Sequence, residues 1–320
     1  MVLLTALAGA APGRADEAPK PVVIATLFPI LDFAQEIAGD LAEIVPLLPP
    51  GAEAHSFSPT PADMMRLARA RLFLYLSDHM ETWAPGLVAD APATLLVRAV
   101  APESSALFPA EAHREDPDSE AEEPGHEAAG HDHDASCSHG PPGLDPHIWL
   151  DPLRAQAMAD RIADALAEAD PPHAAAYRAN ATALQTRLME LHAEIEQGLA
   201  GCKTRTLICG GHFAFGHFAE RYGLRHLSPY SGFSPNAQPS PRALAELVRT
   251  MREQNTTVLF YEEILDPRLA RVLADETGAQ LLPLHSLHNR TPADIASGAT
   301  YFSLMRRNLE NIRQGLGCAP

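Results

Sequence analysis

The sequence predicts an α/β protein: two domains, each a mostly parallel sheet flanked by helices, joined by one long rigid helix. Short apolar, partly β-branched runs alternate with segments of helical periodicity in both halves of the chain, the pattern of parallel strands linked by helices. Between the halves, apolar residues recur at helical spacing from His173 to Leu199. A helix of about 27 residues would be about 40 Å long, more than one layer of a domain needs. Residues 102–143 follow neither period. They are rich in Pro, Glu, Asp, His, Gly and Ser, which predicts a mobile loop.

Residues 21–26 read as the first strand, and 29–39 as a helix through Ile30, Phe33 and Ile37. A second strand at 43–48 is stopped by Pro49-Pro50-Gly51, which forces a loop carrying Glu53 and His55. Thr60-Pro61-Ala62-Asp63 opens a helix, with Pro at its first position and an acid in its first turn. Residues 72–76 form a buried strand, 80–89 a helix and 94–100 a strand. Beyond the loop, 151–169 is an amphipathic helix (Met158, Ile162, Leu166), and Pro171-Pro172 opens the long helix, which buries Tyr177, Leu184, Leu188, Leu191 and Ile195. The second half has strands at 204–209, 224–227, 257–261 and 280–284, with helices at 213–222, 241–254, 267–277 and 300–315. No sequence-level repeat is visible; the repetition is architectural. The domains then span 16–170 and 201–320, with 171–200 as the linking helix.

The length of 320 residues suits two domains, and 46% hydrophobic residues leave ample core. A net charge of -17 excludes nucleic acid as a partner, since nucleic acid demands a basic face. The apolar run at 2–11, followed by Gly13-Arg14-Ala15, reads as a signal peptide over 1–15, although a basic n-region is missing. No other apolar run approaches the roughly 18 residues of a membrane span. No cysteine stands near the N-terminus to carry a lipid, so export without an anchor places the mature chain in the periplasm. The four cysteines are Cys137, Cys202, Cys209 and Cys318; none forms a C-x-x-C, so a cysteine-rich zinc site is not supported. In an oxidising compartment some should pair. A bridge between Cys202 and Cys318 would tie the C-terminus down, though connectivity cannot be read from sequence.

Ligand-binding residues in α/β folds gather in loops at the carboxyl ends of strands. His55, His147, His212 and His285 are placed in this way, two in each half, so a cleft between the domains could collect all four. Neutral imidazoles suit Zn(II), Cu(II) and Ni(II), whereas Mn(II) prefers more carboxylate. Any one of these histidines is more often an ordinary polar residue than a ligand, and placement alone does not decide. Glu262, Glu53 and His288 compete for the fourth position. His147 lies in Asp145-Pro146-His147, where Asp145 and Asp151 read as turn, cap or ring-orienting residues rather than ligands. The 102–143 loop holds His113, His126, His131, His133 and His139. Between positions 111 and 134 it has ten acids against one Arg. Such a segment would collect divalent ions weakly, because ordering it costs entropy.

Four segments together resemble the zinc/manganese solute-binding proteins of ABC importers: Pro49-Pro50-Gly51-Ala52-Glu53-Ala54-His55, Asp145-Pro146-His147-Ile148-Trp149-Leu150-Asp151-Pro152, His212-Phe213-Ala214-Phe215-Gly216-His217-Phe218-Ala219 and Ser240-Pro241. The resemblance spans about residues 22–316, and the long histidine-acid loop is similar to that of the zinc-importing branch. It implies that His55, His147 and His212 are metal ligands. Many members carry Asp-Pro where this chain has His285-Ser286, so the fourth ligand is His285, a glutamate such as Glu262, or water. The implied function is a periplasmic Zn(II) receptor, working as a monomer, that catalyses nothing. It would deliver Zn(II) to a cognate permease in the inner membrane, with a zinc chaperone as a further candidate partner. A manganese-specific protein of the same family is the alternative. A zinc hydrolase is the more distant rival: His131-Asp132-His133-Asp134 looks like an H-x-H-x-D segment, but no strand precedes it and no H-E-x-x-H supplies a base.

Overall fold

A computed structural model describes residues 19–89, 91–102, 145–230 and 239–319. The expected signal peptide and the five histidines of the 102–143 loop lie outside these residues. In the first half, β1 (Val22–Ala25), β2 (Glu43–Pro46), β3 (Leu72–Tyr75) and β4 (Leu96–Ala99) form one parallel sheet in the order β2-β1-β3-β4. Ile24 pairs with Val45 on one side and Phe73 on the other. The intervening helices are α1 (Phe28–Ala38), α2 (Pro61–Leu67) and α3 (Ala84–Val88). The expected helix over 80–89 shrinks to α3, because the Glu81 carboxylate accepts the Leu76 and Ser77 N–H groups and holds the preceding residues in turns.

A 3₁₀ turn, Ile148–Leu150, leads into α4 (Pro152–Ala169), and a second, Pro171–His173, leads from α4 into α5 (Ala174–Leu199). Asp151 caps α4 by accepting the Leu153 N–H at 2.9 Å, as expected of a short acid before Pro. The 26 residues of α5 make a rod about 39 Å long. Tyr177, Ala181, Leu184, Leu188, Leu191, Ile195 and Leu199 form its buried stripe. It packs on α1 and α4 along its first part.

The second half contains β5 (Thr206–Ile208), α6 (Gly216–Arg221), β6 (Arg225–Leu227), α7 (Pro241–Glu253), β7 (Val258–Glu262), α8 (Arg268–Thr277), β8 (Gln280–Leu284), α9 (Pro292–Ala296) and α10 (Tyr301–Leu316). The far end of α5 packs against α10. β5 pairs with β6 and β7 with β8, all parallel, and one bridge between Cys209 and Phe260 joins the two pairs. The lateral order is therefore β6-β5-β7-β8, the same as in the first half. Gly210 makes this join tight: a Cβ there would stand 2.9 Å from the Ala270 backbone on α8. α9 was not anticipated. It opens with Thr291-Pro292-Ala293-Asp294, the tetrapeptide that opens α2, and both starts carry a full capping box. The two halves thus share a short local repeat.

One continuous core crosses both halves, with Phe33, Phe73, Trp149, Tyr177, Phe218, Phe260 and Tyr301 fully buried in it. A second, small cluster of Ile208, Leu247, Met251, Leu259 and Leu273 lies under α7 and α8. Cys202 and Cys318 form a disulfide with a Cα–Cα distance of 3.7 Å, tying the end of α5 to the end of α10. Among the described residues, no helix is long and apolar enough to cross a membrane.

Candidate metal centre

The carboxyl ends of the strands in both halves face one another, and four imidazoles meet there: His55, His147, His212 and His288. Ring centroids of His147 lie 5.5, 5.0 and 5.0 Å from those of His55, His212 and His288. The His55–His288, His55–His212 and His212–His288 separations are 5.2, 5.9 and 6.1 Å. His55, His147 and His288 each offer a nitrogen within 4.8 Å of the others. Nε2 of His55 and Nε2 of His147 are 3.4 Å apart. Two nitrogens at about 2.05 Å from a tetrahedral Zn(II) would stand about 3.3 Å apart, so this pair matches one edge of such a site.

Each ring is brought in by local sequence. Pro49-Pro50-Gly51 turns the chain after β2, with Gly51 at φ 75°, which favours glycine. Its N–H donates to the Arg290 carbonyl. Asn289 donates to the carbonyls of Pro49 and Ala52, so the loop bearing His55 is bound to the segment just after His288. Glu53, a candidate ligand by sequence, instead accepts the His55 and Ser56 N–H groups and shapes this turn. The Trp83 indole N–H holds the Ala54 carbonyl at 3.0 Å.

His147 is fully buried, and its Nδ1–H donates to Asp145 at 2.6 Å. That bond fixes the tautomer and leaves Nε2 as the electron-pair donor. His212 follows β5, and its Nδ1 lies 2.8 Å from Oε2 of Glu262. His288 follows β8, and its Nδ1 lies 3.1 Å from Oε1 of the same carboxylate and 2.7 Å from Ser286 Oγ. The strand order explains the sharing: Glu262 ends β7, which lies between β5 and β8. Glu262 was a candidate fourth ligand by sequence; its two oxygens are taken by two ring N–H groups. The other ring nitrogen of His288, Nε2, is buried without a hydrogen-bond partner. Such an orphan is costly unless something fills its lone pair, which suits a metal.

The candidates for the fourth position are placed differently. His285 is buried but away from the cluster: its Nδ1 accepts the Leu287 N–H at 2.9 Å, and its Nε2 lies 3.3 Å from Asp294. His288 comes to the cluster instead. Leu287, between Ser286 and His288, has φ 62° and is fully buried. For a residue with a Cβ this left-handed step costs about 1–2 kcal/mol, and nothing in a leucine announces it. The signal that could have singled out His288 is the Thr-Pro-Ala-Asp tetrapeptide, which follows His55 and His288 alike within a few residues.

Burial and the neighbouring imidazoles hold His55 and His147 well below the ordinary imidazole range, so both stay neutral and able to donate to a metal. Burial alone would raise the Glu262 carboxyl, but the charge of His212 and the hydrogen bonds from His212 and His288 hold it well below the usual carboxylate range. Burial raises the Asp145 carboxyl, against the pull of His217 and the His147 N–H. Cys209 is a buried thiol that burial and Glu262 push upward, so it stays protonated.

The residues match the family described as zinc-uptake complex component A, periplasmic, over residues 23–315. The chain is 31% identical over 301 residues to the zinc-binding protein AdcA of Streptococcus pyogenes serotype M3, covering 92% of this chain and 56% of that one. It is 30% identical over 305 residues to the high-affinity zinc uptake system protein ZnuA of Bacillus subtilis, covering 95% and 90%. The Zn(II)-bound ZnuA-like domain of Streptococcus pneumoniae AdcA superposes with a TM-score of 0.72 at 26% identity, covering 93% of this chain and 99% of that one. The chain thus spans little more than half the length of the AdcA relatives it matches. With its two matched parallel sheets, its long helix and a match over residues 23–315, the chain belongs to the ZnuA family of zinc-uptake complex components.

Proposed function

We propose that this chain is a periplasmic receptor that captures Zn(II) between its halves through His55, His147, His212 and His288 and delivers it to an ABC permease for import. The metal is cargo, not a resident cofactor, and the chain catalyses nothing. The reading treats 16–170 and 201–320 as domains, 171–200 as the link and 1–15 as a signal peptide, with the mature chain acting as a monomer. The segment bearing His113, His126, His131, His133 and His139 would be a weak collector of ions near the site.

The observation that carries the reading is the arrangement of ring nitrogens. Three of the four imidazoles have Nδ1 occupied by a carboxylate, and the buried Nε2 of His288 has no partner. Four imidazoles backed by the Asp145 and Glu262 carboxylates favour Zn(II) over Mn(II), which prefers oxygen ligands. Four imidazoles also fill a tetrahedron, leaving no open position for an activated water, which disfavours a hydrolase. Chelator competition with Zn(II) and Mn(II) on the wild type, His147→Ala and His288→Ala tests the reading. One tight zinc site, weakened by orders of magnitude in both variants, is expected. Wild-type affinity in both variants, or tighter binding of Mn(II) than Zn(II), would refute it.

A further inference from the structure

His285 makes no approach to the cluster, yet every polar atom of its side chain is engaged. Nδ1 accepts the Leu287 N–H, which fixes the tautomer: Nε2 carries the proton and faces Asp294. Asp294 is itself held, accepting the Thr291 N–H at 3.0 Å and hydroxyl at 2.6 Å, with the Arg307 guanidinium 3.4 Å away. The backbone of His285 is gripped on both sides by Asn308, which accepts its N–H at 2.7 Å and donates to its carbonyl at 2.8 Å. One residue on, the Trp149 indole donates to the Ser286 carbonyl at 2.8 Å.

Within that frame the chain takes its left-handed step at Leu287 and presents His288. A side-chain acceptor taking the N–H two residues later is the geometry of an Asx-turn, a device that stabilises tight local reversals. Here an imidazole nitrogen does what an asparagine oxygen usually does. We propose that His285 is the positioning residue for His288: by accepting the Leu287 N–H, it holds the left-handed turn that carries His288 to the metal. The proposal rests on the four-imidazole reading given above.

The test compares His285→Asn, whose side-chain oxygen can accept the same N–H, with His285→Ala and His285→Leu, which have no acceptor. The leucine variant fills the ring's volume and serves if the alanine variant does not fold. Zinc affinity by chelator competition and the visible absorption of the Co(II)-loaded protein are read for each, with the apo unfolding temperature alongside. The variants without an acceptor should bind zinc about 10- to 100-fold more weakly, the usual loss when a partner behind a metal ligand is removed. His285→Asn should recover most of that loss and keep the intense Co(II) bands of a four-coordinate site, which the other two should lose. Equal zinc affinities for the asparagine and leucine variants, whatever their unfolding temperatures, would overturn the proposal, as would wild-type affinity in His285→Leu. His288→Ala, measured in parallel, separates the two claims: if it binds as wild type, the four-imidazole reading fails on its own account.

Discussion

The two halves share a strand order and a capped tetrapeptide, yet they hold their imidazoles differently. In the first half the sheet is one uninterrupted four-stranded ladder, and His147 has a carboxylate of its own in Asp145. In the second half, among the described residues, the sheet is two pairs joined at a single bridge, and His212 and His288 share Glu262. Equal topology therefore does not give equal mechanics. In the first half the carboxylate behind His147 serves one ring, whereas in the second half one carboxylate serves a coupled pair of rings. His55 is the exception in the first half: its ring is the partly exposed one of the four, on the side open to solvent.

The largest expected effect comes from removing a ligand. His212→Ala or His147→Ala should cost zinc affinity about a thousandfold, roughly 4 kcal/mol, by competition titration. His55→Ala should cost less, because water can reach its place; equal losses at all positions would erase the distinction between an exposed and a buried ligand. Next, reducing the Cys202–Cys318 bridge, which closes 116 residues of chain, should destabilise the protein by about 2–4 kcal/mol in denaturant titrations. The loss should fall on the second half, so hydrogen exchange should quicken in β5–β8 before β1–β4.

Smaller effects probe the carboxylates. Glu262→Gln can satisfy only one of the two ring N–H groups and should weaken zinc about 10- to 100-fold, whereas Asp145→Asn, serving one ring, should cost about tenfold or less. The reverse ranking would show that sharing carries no coupling. The mildest test is pH. The folded pKa values of His55 and His147 are depressed below the ordinary 6.5, so the unfolded chain takes up protons first. Their contribution to stability is full above about 6.5 and is lost as pH falls from there through the depressed folded values. Zinc binding, which needs neutral rings, declines in the same direction. Denaturation midpoints of the apo protein should be lower at pH 5.5 than at pH 7.5, and a flat profile would contradict the burial of these rings.

Much of the fold was legible because it is written in short-range periodicity. The strand at Gln280–Leu284 matches the sequence expectation residue for residue, and α5 begins within one residue of it. The disulfide fell where two cysteines flank the second half. Three of the four clustered histidines stood at places that both strand-end logic and family resemblance pick out. For the fourth, His285 stood first and His288 among the alternatives, because choosing between them depends on one backbone angle at Leu287 and on contacts from Asn308 and Trp149, far away in sequence. The sharing of Glu262 was hidden for a similar reason: it needs β5 beside β7, which the single Cys209–Phe260 bridge settles.

The helix α5 constrains how such a receptor can announce its load. It is buried along one stripe from Tyr177 to Leu199, lies in a core common to both halves, and is tied to α10 by the disulfide just beyond its end. A hinge needs a segment that can bend, and this one cannot without exposing that stripe. The outline of the molecule should therefore be the same empty and loaded, with a radius of gyration that zinc leaves unchanged. On the proposed reading the difference would be local: two positive charges added near the partly exposed ring of His55, and the freedom of the loops around it. A docking partner would tell full from empty by touch at that one spot, not by the silhouette of the whole.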